Sequence, residues 1–153
     1  MLFSDFWLNG IPMTISLVQF IDQDKAIHSV RHTVFTLEQG VDTAIDFDGD
    51  DEHAIHALVT LDDRAVGTGR MLPDGHIGRV AVLREFREQG IGKAILDSLI
   101  QYGRDKAFPS VYLYAQETAV AFYEKLGFTV NGESFMEAGI LHTPMSLSLT
   151  DTD

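Results

Sequence analysis

The stretch Val80-Ala81-Val82-Leu83-Arg84-Glu85-Phe86-Arg87-Glu88-Gln89-Gly90-Ile91-Gly92-Lys93 decides the fold. A β-prone apolar run enters a short polar turn, and the turn enters a helix that opens with two glycines. The first turn of a helix carries unpaired N–H groups and the positive end of the dipole. Gly90 and Gly92 keep side chains away from those amides, while Arg84, Arg87 and Lys93 add positive charge. Together these features describe a cradle for a pyrophosphate. The plainer alternative is a strand-to-helix turn with exposed bases. The spacing is not that of a P-loop, and no third glycine completes GxGxxG.

Upstream of this turn, residues 53–61, 65–72 and 76–83 read as three strands separated by turns too short for crossovers, hence an antiparallel meander. Before them come a first strand over 15–20 and a helix over 22–38, with Ile27, Val30, Val34 and Leu37 as its buried stripe. Asp22 or Asp24 is the expected cap. Residues 1–13 read as a short extension in which Phe6 and Trp7 pack on the body or on a partner, and 40–52 as an acidic loop. Downstream, 90–106 reads as a helix whose stripe is Ile91, Ile95, Leu99 and Tyr102. A strand over 111–115 and a helix over 117–126 ended by Gly127 follow. A strand begins at 128–131, a long connection covers 133–144, and 145–149 is a terminal strand. This order describes a mixed α/β domain.

The chain has 153 residues, 45% of them hydrophobic, and fits one domain with a core over about 14–149. A formal net charge of −12 disfavours a nucleic-acid surface. The acid surplus favours either solubility or cationic substrates. With no cysteine, thiolate nucleophiles and thiolate metal sites are excluded. The N-terminal stretch lacks the basic and continuous apolar regions of a signal peptide, and no run approaches the roughly 20 apolar residues of a membrane span. Cytoplasmic residence is the default expectation, with no membrane partner and a monomer or homodimer as the state.

Two motifs in this order resemble those of the GNAT N-acetyltransferase superfamily. The [RQ]xxGx[GA] motif stands as Arg87-Glu88-Gln89-Gly90-Ile91-Gly92. The NxxAxxxYxxxGF element stands as Gln116 through Ala119, Tyr123, Gly127 and Phe128, with Gln116 where Asn is commoner. A narrower resemblance is to the ElaA-like branch. Its RxxVFxxEQ signature is Arg31 to Gln39. Its acidic loop and histidine are similar to Asp46–Asp51 and His56. Its GIPH element appears as Gly139-Ile140-Leu141-His142.

The resemblance implies a central, mostly antiparallel twisted sheet flanked by helices, with acetyl-CoA as donor substrate. It implies a bulged strand at 76–83 splayed from the strand at 111–115. The donor would lie in that gap against Val80, Ala81 and Val82, and against Arg87, Glu88, Gln89, Gly90, Ile91, Gly92, Lys93, Gln116, Phe122 and Tyr123. One N–H of Ala81 or Val82 would face the thioester oxygen. Tyr123 resembles the family's general acid for the departing sulfur. A base for the acceptor amine is open among Glu38, His56, Glu133, Glu137 and His142, with Glu38 and His142 foremost and a water chain as the alternative. Arg31 organises the acidic residues near the acceptor or serves the surface. The acceptor is a small-molecule or peptide amine. A non-catalytic acyl-CoA-binding or interaction module with the same fold is the other functional class.

No metal is expected. His28 and His32, four apart, lack a third ligand at diagnostic spacing. Asp46, Asp48 and Asp50 hint at a calcium loop, but Gly49 is misplaced and Ala57 occupies the twelfth position, where glutamate is required.

Overall fold

Alternating burial on the second strand and near-continuous burial on the two strands after it build a meander from the first half of the chain. The computed structural model describes residues 2–150, with side chains from residue 7 onward. Strands β1 (Leu2–Leu8), β2 (Ile11–Gln19), β3 (Ile55–Leu61), β4 (Arg64–Met71) and β5 (Ile77–Val82) form one antiparallel sheet in chain order. β1 corrects the expected extension. Asn9 and Gly10, both at positive φ, turn the chain back onto β2. Asn-Gly between extended runs is a strong hairpin signal. Trp7 is 68% exposed, so it does not pack on the body. The packing expected of Phe6 lies outside the described side chains.

The second sheet contains β6 (Ser110–Gln116), β7 (Thr129–Val130), β8 (Phe135–Glu137) and β9 (Ile140–Ser148), with β9 paired to the other three. The expected connection over 133–144 is therefore a hairpin. Ala138 and Gly139 turn at positive φ, and β9 begins at Ile140. The two sheets meet at one parallel bridge, His76 to Tyr112, and form separate ladders beyond it.

β5 carries the bulge that sets this divergence. Thr68 pairs with Ala81 and Arg70 with Gly78, so β5 holds one extra residue in that interval. Arg79 sits there at φ 52.

Helix α1 (Phe20–Arg31) continues into a π-helical segment, His32–Glu38, rather than one α-helix over 22–38. The wider turn shifts the stripe: Val34 is buried, but Leu37 is 70% exposed. Neither Asp22 nor Asp24 caps α1, whose N-cap is Gln19 with no side-chain bond. The acidic loop contains a short helix, α2 (Thr43–Asp46), capped by Asp42 through a 2.8 Å bond from the Ala44 amide.

Helix α3 (Ile91–Asp105) buries Ile91, Ile95 and Leu99, as expected, while Tyr102 is half-buried. Gly67 and Gly69 of β4 face Ile91 and Ile95, so the alternating Thr68 and Arg70 point to the opposite face, toward α1. The last helix, α4 (Val120–Lys125), is preceded by a 3₁₀ turn over Glu117–Ala119, and Gly127 follows at φ 99. Among the described residues no helix is long and apolar enough to cross a membrane.

Candidate active site

Two sequence motifs meet where the sheets part. Helix α3 opens on Gly90, at φ 87, with no side-chain cap. A Cβ there would meet nothing within 4 Å, and one on Gly92 would meet only Phe122 Cζ at 3.7 Å. The first-turn amides therefore have open space in front of them, the arrangement an anionic group requires. Ile91 contributes only its backbone, because its side chain is 1% exposed in the core. Glu88, at φ 63, and Gln89 are exposed in the turn.

The cations of the turn are partnered, which the sequence reading did not anticipate. Arg87 donates Nε to Val82 O at 2.9 Å and both terminal nitrogens to Glu38, at 2.7 Å each. Arg84 lies 3.5 Å from the same carboxylate, and Lys93 pairs with Asp97 at 2.7 Å. The Arg87 hydrogen bond holds Glu38 below the usual glutamate range and raises Arg87 in turn. Next to Glu38, Gln39 accepts a 3.3 Å bond from Gln116 at the end of β6. The end of the π-helical segment thus touches the turn after β5 through Glu38, and its C-cap Gln39 touches the end of β6.

The second motif closes the other side. Phe122 is 38% exposed beside Gly92, and its ring lies 5.1 Å from that of Tyr123. Tyr123 also packs at 5.8 Å on buried Phe128, and desolvation pushes its phenol up to about 12. Val80 and Val82 are half-buried on β5, and Ala81 is buried.

His142 pairs across the sheet with Gln116 on one side and Phe135 on the other. It is 9% exposed, and its Nδ1 lies 2.8 Å from Ile140 O. A carbonyl only accepts, so Nδ1 carries hydrogen, which leaves Nε2 the lone pair in the neutral ring. Glu133 and Glu137 are exposed. His56 is 1% exposed and bonds Asp51 O at 3.0 Å, with its pKa lowered by burial.

Arg31 proves to be the hub of a buried network rather than a surface residue. Fully buried, it reaches Asp51 at 2.6 Å and Asp46 at 3.2 Å. Arg70 shares Asp51 at 2.9 Å and takes Asp48 at 2.9 Å. The bulge residue Arg79 bonds Asp46 O at 3.1 Å, Ile45 O at 3.2 Å and Asp48 at 3.1 Å. The acids of the loop neutralise three arginines and tie the loop to α1, β4 and β5. Sequence reasoning missed Arg70 and Arg79; the excess of acids in the loop was the available signal. His28 and His32 stack with ring centroids 5.7 Å apart. Among the described residues no group of three or more His, Cys, Asp or Glu gathers as a metal site. A shallow hollow of about 350 Å³ lined by Phe20, Asp24, Lys25, His28 and Ser29 shares no residue with either motif.

The acetyltransferase (GNAT) domain family matches residues 23–149. YyaT of Bacillus subtilis is 36% identical over 127 residues, 79% of this chain and 86% of its own length. The crystal structure of Escherichia coli ElaA superposes with a TM-score of 0.79 at 27% identity, covering 88% of this chain and 98% of ElaA. An acyl-CoA N-acyltransferase from Pseudomonas aeruginosa gives a TM-score of 0.77 at 25% identity, covering 86% and 97% respectively. With the matched region spanning both motifs and the divergence between the sheets, the chain belongs to the GNAT acetyltransferase family.

Proposed function

We propose that this protein transfers the acetyl group of acetyl-CoA to a primary amine by direct attack. The observation that carries the reading is the bare, glycine-opened start of α3 beside the divergence of β5 and β6. Amides of Gly90, Ile91, Gly92 and Lys93 hold the donor's diphosphate, with Arg87, Glu88 and Gln89 lining the turn and Phe122 beside it. Val80, Ala81 and Val82 offer backbone groups to the donor's amide chain, as an edge strand does. The bulge at Arg79 re-aims these groups.

The amine nitrogen attacks the thioester carbon. The C–N bond forms, the C–S bond breaks, the nitrogen loses one proton and the sulfur gains one. An N–H of Ala81 or Val82 faces the carbonyl oxygen as charge develops on it. Tyr123 keeps its proton at neutral pH and delivers it to sulfur. His142 receives the amine proton at Nε2. Glu38 is a weaker base, because Arg87 holds its carboxylate ionised. Its place is to hold Arg87, while Gln39 and Gln116 fix the gap. Protein in the cytoplasm, as a monomer or homodimer, would meet both substrates.

The test is release of free thiol from acetyl-CoA across polyamines, aminoglycosides, amino acids and peptides. Thiol release stoichiometric with an acetylated amine is expected. Tight acetyl-CoA binding with no thiol released by any acceptor would favour a binding module instead.

A further inference from the structure

The acceptor side of the gap carries an aromatic wall that the transfer chemistry does not use. On β6, buried Val111, Leu113 and Ala115 alternate with Tyr112, Tyr114 and Gln116. Val111 meets the α3 side near Gly103, so the tyrosines stand on the opposite face, the face that carries His142. His76 stacks on Tyr112 at 4.7 Å and meets Tyr114 edge-on at 4.8 Å. Tyr114 meets Phe135 at 5.1 Å, and Phe135 stacks on His142 at 5.9 Å. The wall runs from the point where β5 and β6 part to the proposed base.

Cross-strand aromatic pairs also stabilise sheets, and that alone would account for contacts along a ladder. It does not account for the charge placed on this one. Tyr114 remains 41% exposed. The Tyr112 hydroxyl donates to Asp74 at 2.5 Å, which pushes electron density into the ring. The bond from Tyr112 lowers the Asp74 pKa, so a full negative charge stands at the rim. His76 also feels Arg70 and Arg79, whose charges are neutralised by Asp46, Asp48 and Asp51, and more weakly the acid of Glu137. His76 itself is kept neutral by burial and does not repel a cation. Electron-rich ring faces with carboxylates at the edge suit an organic cation. The chain's net charge of −12 draws the same ligand in.

We infer that the acceptor carries a second cationic group roughly 13 Å from its reacting amine, four strand residues along β6, as a linear polyamine does, and that Tyr112, Tyr114 and Asp74 hold it. This rests on the proposed transferase reading, and its test separates the two.

The first arm compares spermidine and spermine with butylamine by thiol release from acetyl-CoA. The kcat/KM for each polyamine should exceed that of the monoamine at least about tenfold, within reach of a desolvated cation–π contact. Tyr114→Leu and Asp74→Asn should each cut that ratio at least about fivefold through the polyamine KM, whereas Tyr114→Phe should keep it. Acetyl-CoA affinity should stay unchanged in all three variants. Equal kcat/KM for polyamine and monoamine, with thiol released, would overturn the inference and leave the transferase standing. The second arm needs no turnover: tetramethylammonium is titrated while ring proton resonances are followed. Saturable shifts of the Tyr112, Tyr114 and Phe135 rings are expected. Unmoved rings would overturn the inference whatever the catalytic result, and absence of thiol release with any amine would count against the transferase reading alone.

Discussion

At Tyr123 the sequence supplied a motif position and the structure supplied an environment. The ring packs between Phe122 and Phe128, and burial pushes the phenol up to about 12. Tyr123→Phe preserves that packing and removes one proton donor, so turnover should fall at least about tenfold with acetyl-CoA affinity nearly intact. Thiol-release kinetics and calorimetry check the two halves, and wild-type turnover would reject the tyrosine as acid. The late motif marked His142 as a candidate base. Its hydrogen bond to Ile140 O was not legible, because it depends on the hairpin at Ala138 and Gly139. Glu38 shows the limit of reading residues singly. Its candidacy as a base came from its place at the end of the first helix, but its partners are Arg87 and Arg84, 49 residues away for Arg87. No local pattern announces such a pair.

Helix α3 reaches its position because β4 presents glycine to it. A Cβ on Gly69 would lie 2.7 Å from Ile95 Cγ2 and 3.3 Å from Val80 Cγ2. Gly69→Ala should therefore push α3 off the sheet, at a cost of about 1–3 kcal/mol. Urea unfolding measures it, and a weakened acetyl-CoA affinity should accompany it because the α3 start moves too. The apolar stripe of α3 was readable, since period and burial agree along a regular helix. The π-helical segment was not readable. Its apolar spacing of three and four also suits an α-helix, and the widened turn shows only in the bond from Gln39 N to Val34 O and in the exposure of Leu37. The segment and its C-cap nonetheless shape the candidate site, because they bring Glu38 to Arg87 and Gln39 to Gln116. β1 was missed for a different reason: its pairing is announced by Asn9 and Gly10 rather than by alternation in its own residues.

Across the whole molecule, α1, the acidic loop, β4 and β5 are tied by Arg31, Arg70 and Arg79 to Asp46, Asp48 and Asp51. Arg31 reaches partners 15 and 20 residues away, so the sequence could show an arginine and acids but not their burial together. Arg31→Ala leaves buried Asp46 and Asp51 short of a partner and should cost about 3–5 kcal/mol in urea unfolding. The network also fixes a pH dependence. The Arg70 hydrogen bond lowers Asp48 below its ordinary value of 3.8. At Asp51 burial opposes ionisation, but the bonds and charges of Arg31 and Arg70 outweigh it. Carboxyls lowered on folding stabilise the fold above their ordinary values and cease to as pH falls through the folded ones. The wild-type Tm should therefore drop as pH falls below about 4, and Arg70→Met should flatten that drop. A wild-type Tm level from pH 5 to pH 2.5 would contradict it.

The meander, the two motifs and their order were legible because each rests on local periodicity or spacing. The proposed seat of the donor's diphosphate joins them, and Gly92→Glu probes that proposal directly by placing bulk and negative charge at the start of α3. Calorimetric titration of acetyl-CoA into wild type and into this variant, at matched Tm, is the most direct measurement. Wild-type protein should bind, with affinity in the variant lower by at least about tenfold, or about 1.4 kcal/mol. Equal affinity in the two proteins would contradict the placement of the donor at the start of α3.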